Sequence, residues 1–289
     1  MSSTNTHDSS DGTVTAIIAT PPRRLHGATL LALQMPAHLA QGMVGGRYFL
    51  ARCGAQTLLE REEQWQIYLR QPLFVASRGR VKLEQAEDQT DEKSRAHEIW
   101  ELILPDSQTP GYRWLAAQAE GAALNLIGPL GQGFTLLPQS RNLLLLATAD
   151  RAAALLALIE PMLDRGGRVT LVVHTAGAAT DNPLLPLLSI PVEVHLANTD
   201  AQWQQKITET LLWADQLCAA VPATMFQPLA EAIRHKRFRL EQEFAQVLVE
   251  ADLACGVGAC LACVIPVANG GYTRACVHGP VFDLAQLVR

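Results

Sequence analysis

Four of the chain's six cysteines fall in one C-terminal stretch, CGVGACLACVIPVANGGYTRACVHGPVFD, running from Cys255 to Asp283. Their order is Cys255-x4-Cys260-x2-Cys263-x12-Cys276. Three thiols on one tight loop and a fourth further on is a recurrent ligand spacing for a [2Fe–2S] cluster. Each iron of such a cluster takes two protein thiolates, and the loop must wrap the inorganic sulfide with backbone N–H groups turned inward. Gly256 and Gly258 permit positive φ and close backbone approach at that point. Cys276 is expected to arrive from a strand after a hairpin turn at Asn269–Tyr272, NGGY.

Three other readings compete. Unliganded structural cysteines seldom gather this densely. Disulfides are disfavoured if the protein resides in a reducing cytosol, where clustered thiols serve metals or catalysis. A four-thiolate zinc site is the serious rival, but structural zinc usually takes two Cys-x-x-Cys knuckles. Here only Cys260 and Cys263 form one. Cys53 and Cys218 have no companions and sit in apolar runs, so both are expected as buried packing residues.

The 289 residues, with 48% apolar, 18% charged and a formal net charge of −5, describe a globular chain with room for two or three domains. That charge gives no reason to expect nucleic acid or anionic lipid as a partner. No apolar run reaches membrane-spanning length. The polar start MSSTNTHDSSDG carries no cleavable signal pattern and reads as a disordered tail, residues 1–12, of a cytoplasmic protein.

Elements that could position the cysteines fall into three parts. From 13 to 138, short β-type runs (TVTAIIA, GATLLALQM, GGRYFLARC, IYLRQPLFVAS, HEIWELILP, ALNLIGPLG) alternate with turn residues, which suggests a small antiparallel barrel or sandwich. The charged insert EQAEDQTDEKSR reads as a solvated hairpin tip. From 139 to 237 the rhythm changes to a parallel α/β layer. RNLLLLATAD, RVTLVVHTAG, PVEVHLANT and QLCAAV are its strands. RAAALLALIEPMLDRGG, DAQWQQKITETLLWAD and TMFQPLAEAIRHKRF are its helices. From 238 to 289 the cysteine segment follows RLEQEFAQVLVEADLA, where Leu240, Phe244, Val247 and Leu248 fall at helical spacing and predict an amphipathic helix.

The cysteine loop and its flanks, ACGVGAC, C-x-x-C-V and GPVFD, resemble the iron–sulfur end of the electron-transfer subunits of type B dihydroorotate dehydrogenases, within the ferredoxin reductase superfamily. GYRWLA followed by LIGPLGQGF (Gly128–Phe134) is similar to that family's end-of-barrel segment, and GGRYFLARCG to its G-x-F strand. The resemblance implies a ferredoxin-reductase-like antiparallel flavin barrel, a parallel α/β nucleotide-type domain and a small C-terminal [2Fe–2S] domain. It also implies an oxidoreductase component rather than a stand-alone enzyme, in a cytoplasmic hetero-oligomer with a dihydroorotate dehydrogenase catalytic subunit of pyrimidine biosynthesis. In that family electrons pass from the partner's flavin through the cluster to FAD and on to NAD⁺.

The chain departs from the family at both nucleotide sites. The family's FAD strand is R-P-x-S, with arginine on the pyrophosphate; here Pro72 and Leu73 fit, Gln71 stands for the arginine and Phe74 for the serine. Arg70 is one residue early, which in a regular strand places it on the opposite face. The family's G-x-G-T signal reads TPGYR, with Gly111 retained and Tyr112 in place of threonine. The candidate FAD residues are therefore Arg70, Gln71, Pro72, Leu73, Gly111 and Tyr112, and readings with and without bound FAD both stand. The family's glycine-rich turn after the first α/β strand is LLLLATADRAAALLAL here, without glycine, and Asp150 reads as an N-cap. The C-G-P-x-P-M segment reads AAVPATM, with Ala220 and Val221 in place of the cysteine and glycine. NAD binding is expected to be weak or absent. The alternative to the flavin-containing subunit is a cluster-carrying wire or scaffold with decayed FAD and NAD sites.

Overall fold

A computed structural model describes residues 12–25, 28–54, 67–78, 97–105, 108–175, 188 and 191–289. The tail residues 1–11 and the charged insert EQAEDQTDEKSR lie outside the described residues. The chain divides into two compact units, one of 1–43 with 48–130 and one of 44–47 with 131–289.

The first unit holds β1 (Thr13–Ile18), β2 (Arg23–Leu25), β3 (Ala28–Pro36), β4 (Tyr48–Ala51), β5 (Gln71–Arg78), β6 (His97–Pro105) and β7 (Ala123–Leu130). Their order is β1-β7-β4-β5-β6-β3-β2, and β1 also pairs with β3. That last pairing closes six antiparallel strands into a barrel, which removes the unpaired edges an open sheet would expose. Alternation puts Val14, Ala16 and Ile18 of β1 inside. They meet Leu31, Leu33, Trp100 and Leu102 in one core, capped by Leu115 of helix α1 (Pro110–Ala116). A buried leucine of this kind contributes roughly 2 kcal/mol. Gly128, at φ +147°, is required where β7 passes β4: a Cβ there would stand 2.7 Å from the Phe49 ring and 3.0 Å from the Tyr48 carbonyl. All six strands expected from the alternating runs are present.

The second unit is a six-stranded sheet in the order β10-β9-β8-β11-β12-β15. Its strands are β8 (Asn142–Thr148), β9 (Arg168–His174), β10 (Val192–Ala197), β11 (Gln216–Ala220), β12 (Ala245–Leu248) and β15 (Val281–Asp283). The first five run parallel and β15 is antiparallel to β12. Central β8 is a continuous apolar run because its residues from Leu143 to Ala147 are all buried. Helix α4 (Asp200–Thr210) starts on Thr199, whose side chain accepts from the Gln202 N–H, and α5 spans Phe226–Arg237.

Three expectations are corrected here. RAAALLALIEPMLDRGG forms two short helices, α2 (Ala153–Leu156) and α3 (Ile159–Asp164), rather than one. Pro161 has no N–H to give the Ala157 carbonyl, and the chain breaks at that level. RLEQEFAQVLVEADLA is not a helix: its residues 245–248 are β12, paired with β11 on one side and β15 on the other. Sheet pairing on both sides outweighs a helical period in so short a run. The boundary at 238 moves accordingly, because β12 and β15 complete the α/β sheet and the cysteine lobe is the excursion between them. That lobe contains the hairpin β13 (Val264–Pro266) and β14 (Tyr272–Arg274), then the one-turn helix α6 (Ala275–His278).

Candidate metal centre

Cys255, Cys260 and Cys263 lie on the loop that follows β12 and enters β13. Gly256 and Gly258 take φ +72° and +76°, and Leu261 takes +59°, so the loop reverses its direction repeatedly within a few residues. Gly258 is required: a Cβ would come within 2.8 Å of Val277 Cγ2 and 3.1 Å of the Arg274 guanidinium. Arg274 Nη1 donates to the Gly258 carbonyl at 3.3 Å and ties the loop to the end of the hairpin. The register Val264 against Arg274 places Ala275 beside Cys263, whose carbonyl accepts from the Ala275 N–H at 2.9 Å.

This hairpin delivers the fourth thiol. Cys276 stands on α6, two residues past the strand, and its Sγ lies 3.1 Å from Cys263 Sγ. The Cys276 N–H also points at that sulfur, at 3.5 Å. Both thiols are buried. Cys260 is exposed and Cys255 half-exposed. The Cys260 and Val257 N–H groups are directed at the Cys255 sulfur, joined by the Cys260 thiol and the Ala259 N–H, and together they bring its pKa down to about 6. Burial, then the hydrogen bond with the Cys263 thiol, pushes Cys276 up to about 12, while the Gly258 backbone works the other way. All four cysteines are free thiols in one lobe, in two pairs: Cys255 with Cys260, and Cys263 with Cys276.

This donor set fits a two-iron cluster, which takes thiolates two by two, and it supplies inward N–H groups from a loop without side-chain obstruction at Gly258. Among the described residues, no three His, Cys, Asp or Glu side chains converge on a position for a single metal ion. The N–H groups of Val257 and Ala259 and the Arg274 side chain were not legible as functional, since nothing in their residue types marks them.

The candidate flavin residues are brought together in the barrel. Gln71 packs its side chain over Gly111, in the space a Cβ there would fill, and Tyr112 Oη donates to the Pro72 carbonyl at 2.9 Å. The first residues of β5 and the start of α1 therefore form one wall, with Leu73 buried behind it. Arg70 lies just before β5, and its guanidinium donates to the Leu50 carbonyl at 3.0 Å, the Asn125 carbonyl at 3.1 Å and Asn125 Oδ1 at 2.6 Å. Phe74 sets its ring 5.9 Å from that of Tyr48. Cys53 and Cys218 are both buried, as expected, and burial raises their thiol pKa, to about 12 for Cys53.

Comparison with known proteins accords with this geometry. Residues 250–288 match a family model described as the iron–sulfur cluster binding domain of dihydroorotate dehydrogenase B. The dihydroorotate dehydrogenase B (NAD(+)) electron transfer subunit of Shouchella clausii is 32% identical over 189 residues, covering 62% of this chain and 70% of that protein. The subunit of the same name from Bacillus velezensis is 26% identical over 231 residues, covering 76% and 80%. Among solved structures, an NADH-dependent reduced ferredoxin-NADP oxidoreductase superposes with a TM-score of 0.69 at 15% identity, over 94% of this chain and 89% of that one. Phthalate dioxygenase reductase does so with a TM-score of 0.56 at 11% identity, over 93% and 78%. At those identities the structures establish the ferredoxin-reductase-like fold alone. With identity above 30% across more than two thirds of a relative, and the cluster-domain model on its cysteine lobe, the chain belongs to the family of dihydroorotate dehydrogenase B electron transfer subunits.

Proposed function

We propose that this chain is the electron-transfer subunit of a dihydroorotate dehydrogenase, holding a [2Fe–2S] cluster on Cys255, Cys260, Cys263 and Cys276 and FAD on its barrel. The observation that carries the reading is the pairing of the four thiols on one lobe. When bound, a [2Fe–2S] cluster supplies one-electron transfer. The chain's own residues hold and shield it: Cys263 and Cys276 from the buried side, Cys255 and Cys260 from the exposed side, with N–H groups at Val257, Ala259 and Cys260 facing sulfur. Such hydrogen bonds favour the thiolate form that ligates metal and tune a cluster's potential. The exposed Cys260 marks the side that a catalytic subunit would approach.

FAD, when bound, joins one-electron to two-electron chemistry. Gln71, Pro72 and Tyr112 would line it, chiefly through backbone and a neutral amide, with Leu73 and Gly111 buried behind them, and Arg70 borders them while tied to β4 and β7. One observation favours a second reading, a cluster-bearing wire or scaffold without flavin: Arg70 and Tyr112 already direct polar groups at neighbouring barrel atoms.

Anaerobic purification decides between the two. Iron and sulfide in equal amounts, with FAD released on denaturation and a dihydroorotate dehydrogenase subunit co-purifying, supports the first reading. Iron and sulfide with no flavin supports the second. Zinc in place of both overturns each.

A further inference from the structure

The related subunits carry NAD(+) in their names, but the residues of this chain do not fit a nicotinamide dinucleotide. In an open parallel sheet such a ligand binds beyond the C-terminal ends of the strands, where the strand order reverses. Here that place lies between β8 and β11, since β9 and β10 extend one way and β11 and β12 the other. It is bounded by the turn after β8, by Val221 and Pro222 after β11, and by Glu250 after β12.

Binding a diphosphate there requires free N–H groups at a helix start and no opposing charge. In the turn after β8 three N–H groups are already engaged and a carboxylate stands at Asp150. The Arg151 and Ala152 N–H groups both donate to the Thr148 carbonyl, at 3.0 and 3.1 Å, and the Ala149 N–H donates to His174 at 3.1 Å. The helix that follows, α2, has four residues and no side-chain cap. Asp150 is not an N-cap, contrary to expectation: its Oδ2 lies 3.3 Å from Arg151 Nε. Arg151 Nη2 reaches Glu250 Oε2 at 2.6 Å. Adjacent strands are about 4.8 Å apart, so a contact from the end of β8 to the end of β12 crosses roughly 10 Å, over the end of β11. Val221, the residue after β11, is buried. One guanidinium between two carboxylates leaves a formal charge of −1 where a diphosphate would have to sit.

We infer that the Arg151–Glu250 pair plugs the nucleotide crevice of this sheet and that the chain does not bind NAD⁺ or NADH there. The inference concerns the α/β sheet alone. It would survive loss of the cluster assignment, which iron and sulfide analysis tests separately.

The test is isothermal titration calorimetry of NAD⁺ and NADH into the protein as purified. No saturable heat is expected up to about 1 mM, the upper end of ordinary substrate affinities. A saturable site below that concentration overturns the inference. The double variant Asp150→Gly/Glu250→Ala removes both carboxylates and the cross-sheet contact, leaves the Arg151 guanidinium free, and introduces glycine into the turn. It is expected to bind NADH measurably while keeping the parent's circular dichroism. A folded double variant as inert as the parent overturns the assignment of the closure to this pair.

Discussion

Cys263 Sγ and Cys276 Sγ lie 3.1 Å apart although 13 positions separate them in the chain. The β13–β14 hairpin closes that interval, and the Ala275 N–H bond to the Cys263 carbonyl locks the two residues side by side. The buried pair is thus set by hairpin register, and the exposed pair by glycine-rich loop geometry.

The two pairs should respond differently to substitution. Cys263→Ser and Cys276→Ser put a hydroxyl, a poor ligand for iron–sulfur, in a buried position, and both are expected to purify with little iron or sulfide. Cys260→Ser, on the exposed side, is expected to retain a cluster only transiently, bleaching faster in air than the parent. Cys260→Ser with unchanged colour and iron content would show the ligand set to be wrong.

Gly258→Ala meets Val277 at 2.8 Å and must also hold φ +76°. A non-glycine residue in that backbone region costs about 1–3 kcal/mol before the clash is counted. Gly270 has φ +84° and open space around it, so Gly270→Ala reports the backbone cost alone. Time courses of iron loss to a chelator should place Gly258→Ala well ahead of both Gly270→Ala and the parent.

Two buried glutamines pin the segment leading into β8. Gln216 accepts from the Leu137 N–H at 3.0 Å and donates to the Thr135 carbonyl at 2.7 Å. Gln246 accepts from the Thr135 N–H at 2.9 Å and donates to the same carbonyl at 2.8 Å. Gln216→Leu leaves the Leu137 N–H without this acceptor, at a cost of about 1–3 kcal/mol. Urea unfolding should show the corresponding shift in midpoint with an unchanged slope.

Burial raises the Cys53 thiol from 9.0 to about 12. A raised folded-state pKa means stability is complete below the unfolded value and declines as pH climbs from about 9 toward 12, because only the unfolded thiol ionises over that range. By pH 10 this group alone should cost about 1 kcal/mol. Comparing Cys53→Ala with the parent at pH 8 and pH 10 isolates it, since the variant should lose less stability between the two. An equal loss in both would place the alkaline sensitivity elsewhere.

Arg70 illustrates why the flavin wall was only half legible. Its position one residue before Gln71 is plain in the chain, but its bonds to Leu50 and Asn125 depend on β4 and β7, which are remote in sequence. Arg70→Met should lower the melting temperature through loss of these charge-assisted bonds, worth about 1.5–3 kcal/mol each at most.

Local rules alone determined much of this protein. Alternating apolar residues specified the barrel strands, the unbroken apolar run at Leu143–Ala147 specified a strand buried on both faces, and cysteine spacing specified the cluster loop. Each of these patterns acts over a few residues, where side-chain period and ligand reach are set by covalent geometry. Tertiary structure decided the rest. Residues 245–248 became a strand because β11 and β15 flank them, against their own helical spacing. Cys276 joined Cys263 through hairpin register, and Arg151 met Glu250, 99 positions away, across the end of a third strand. Such contacts depend on which distant segments the sheet order makes neighbours, and no local period encodes that.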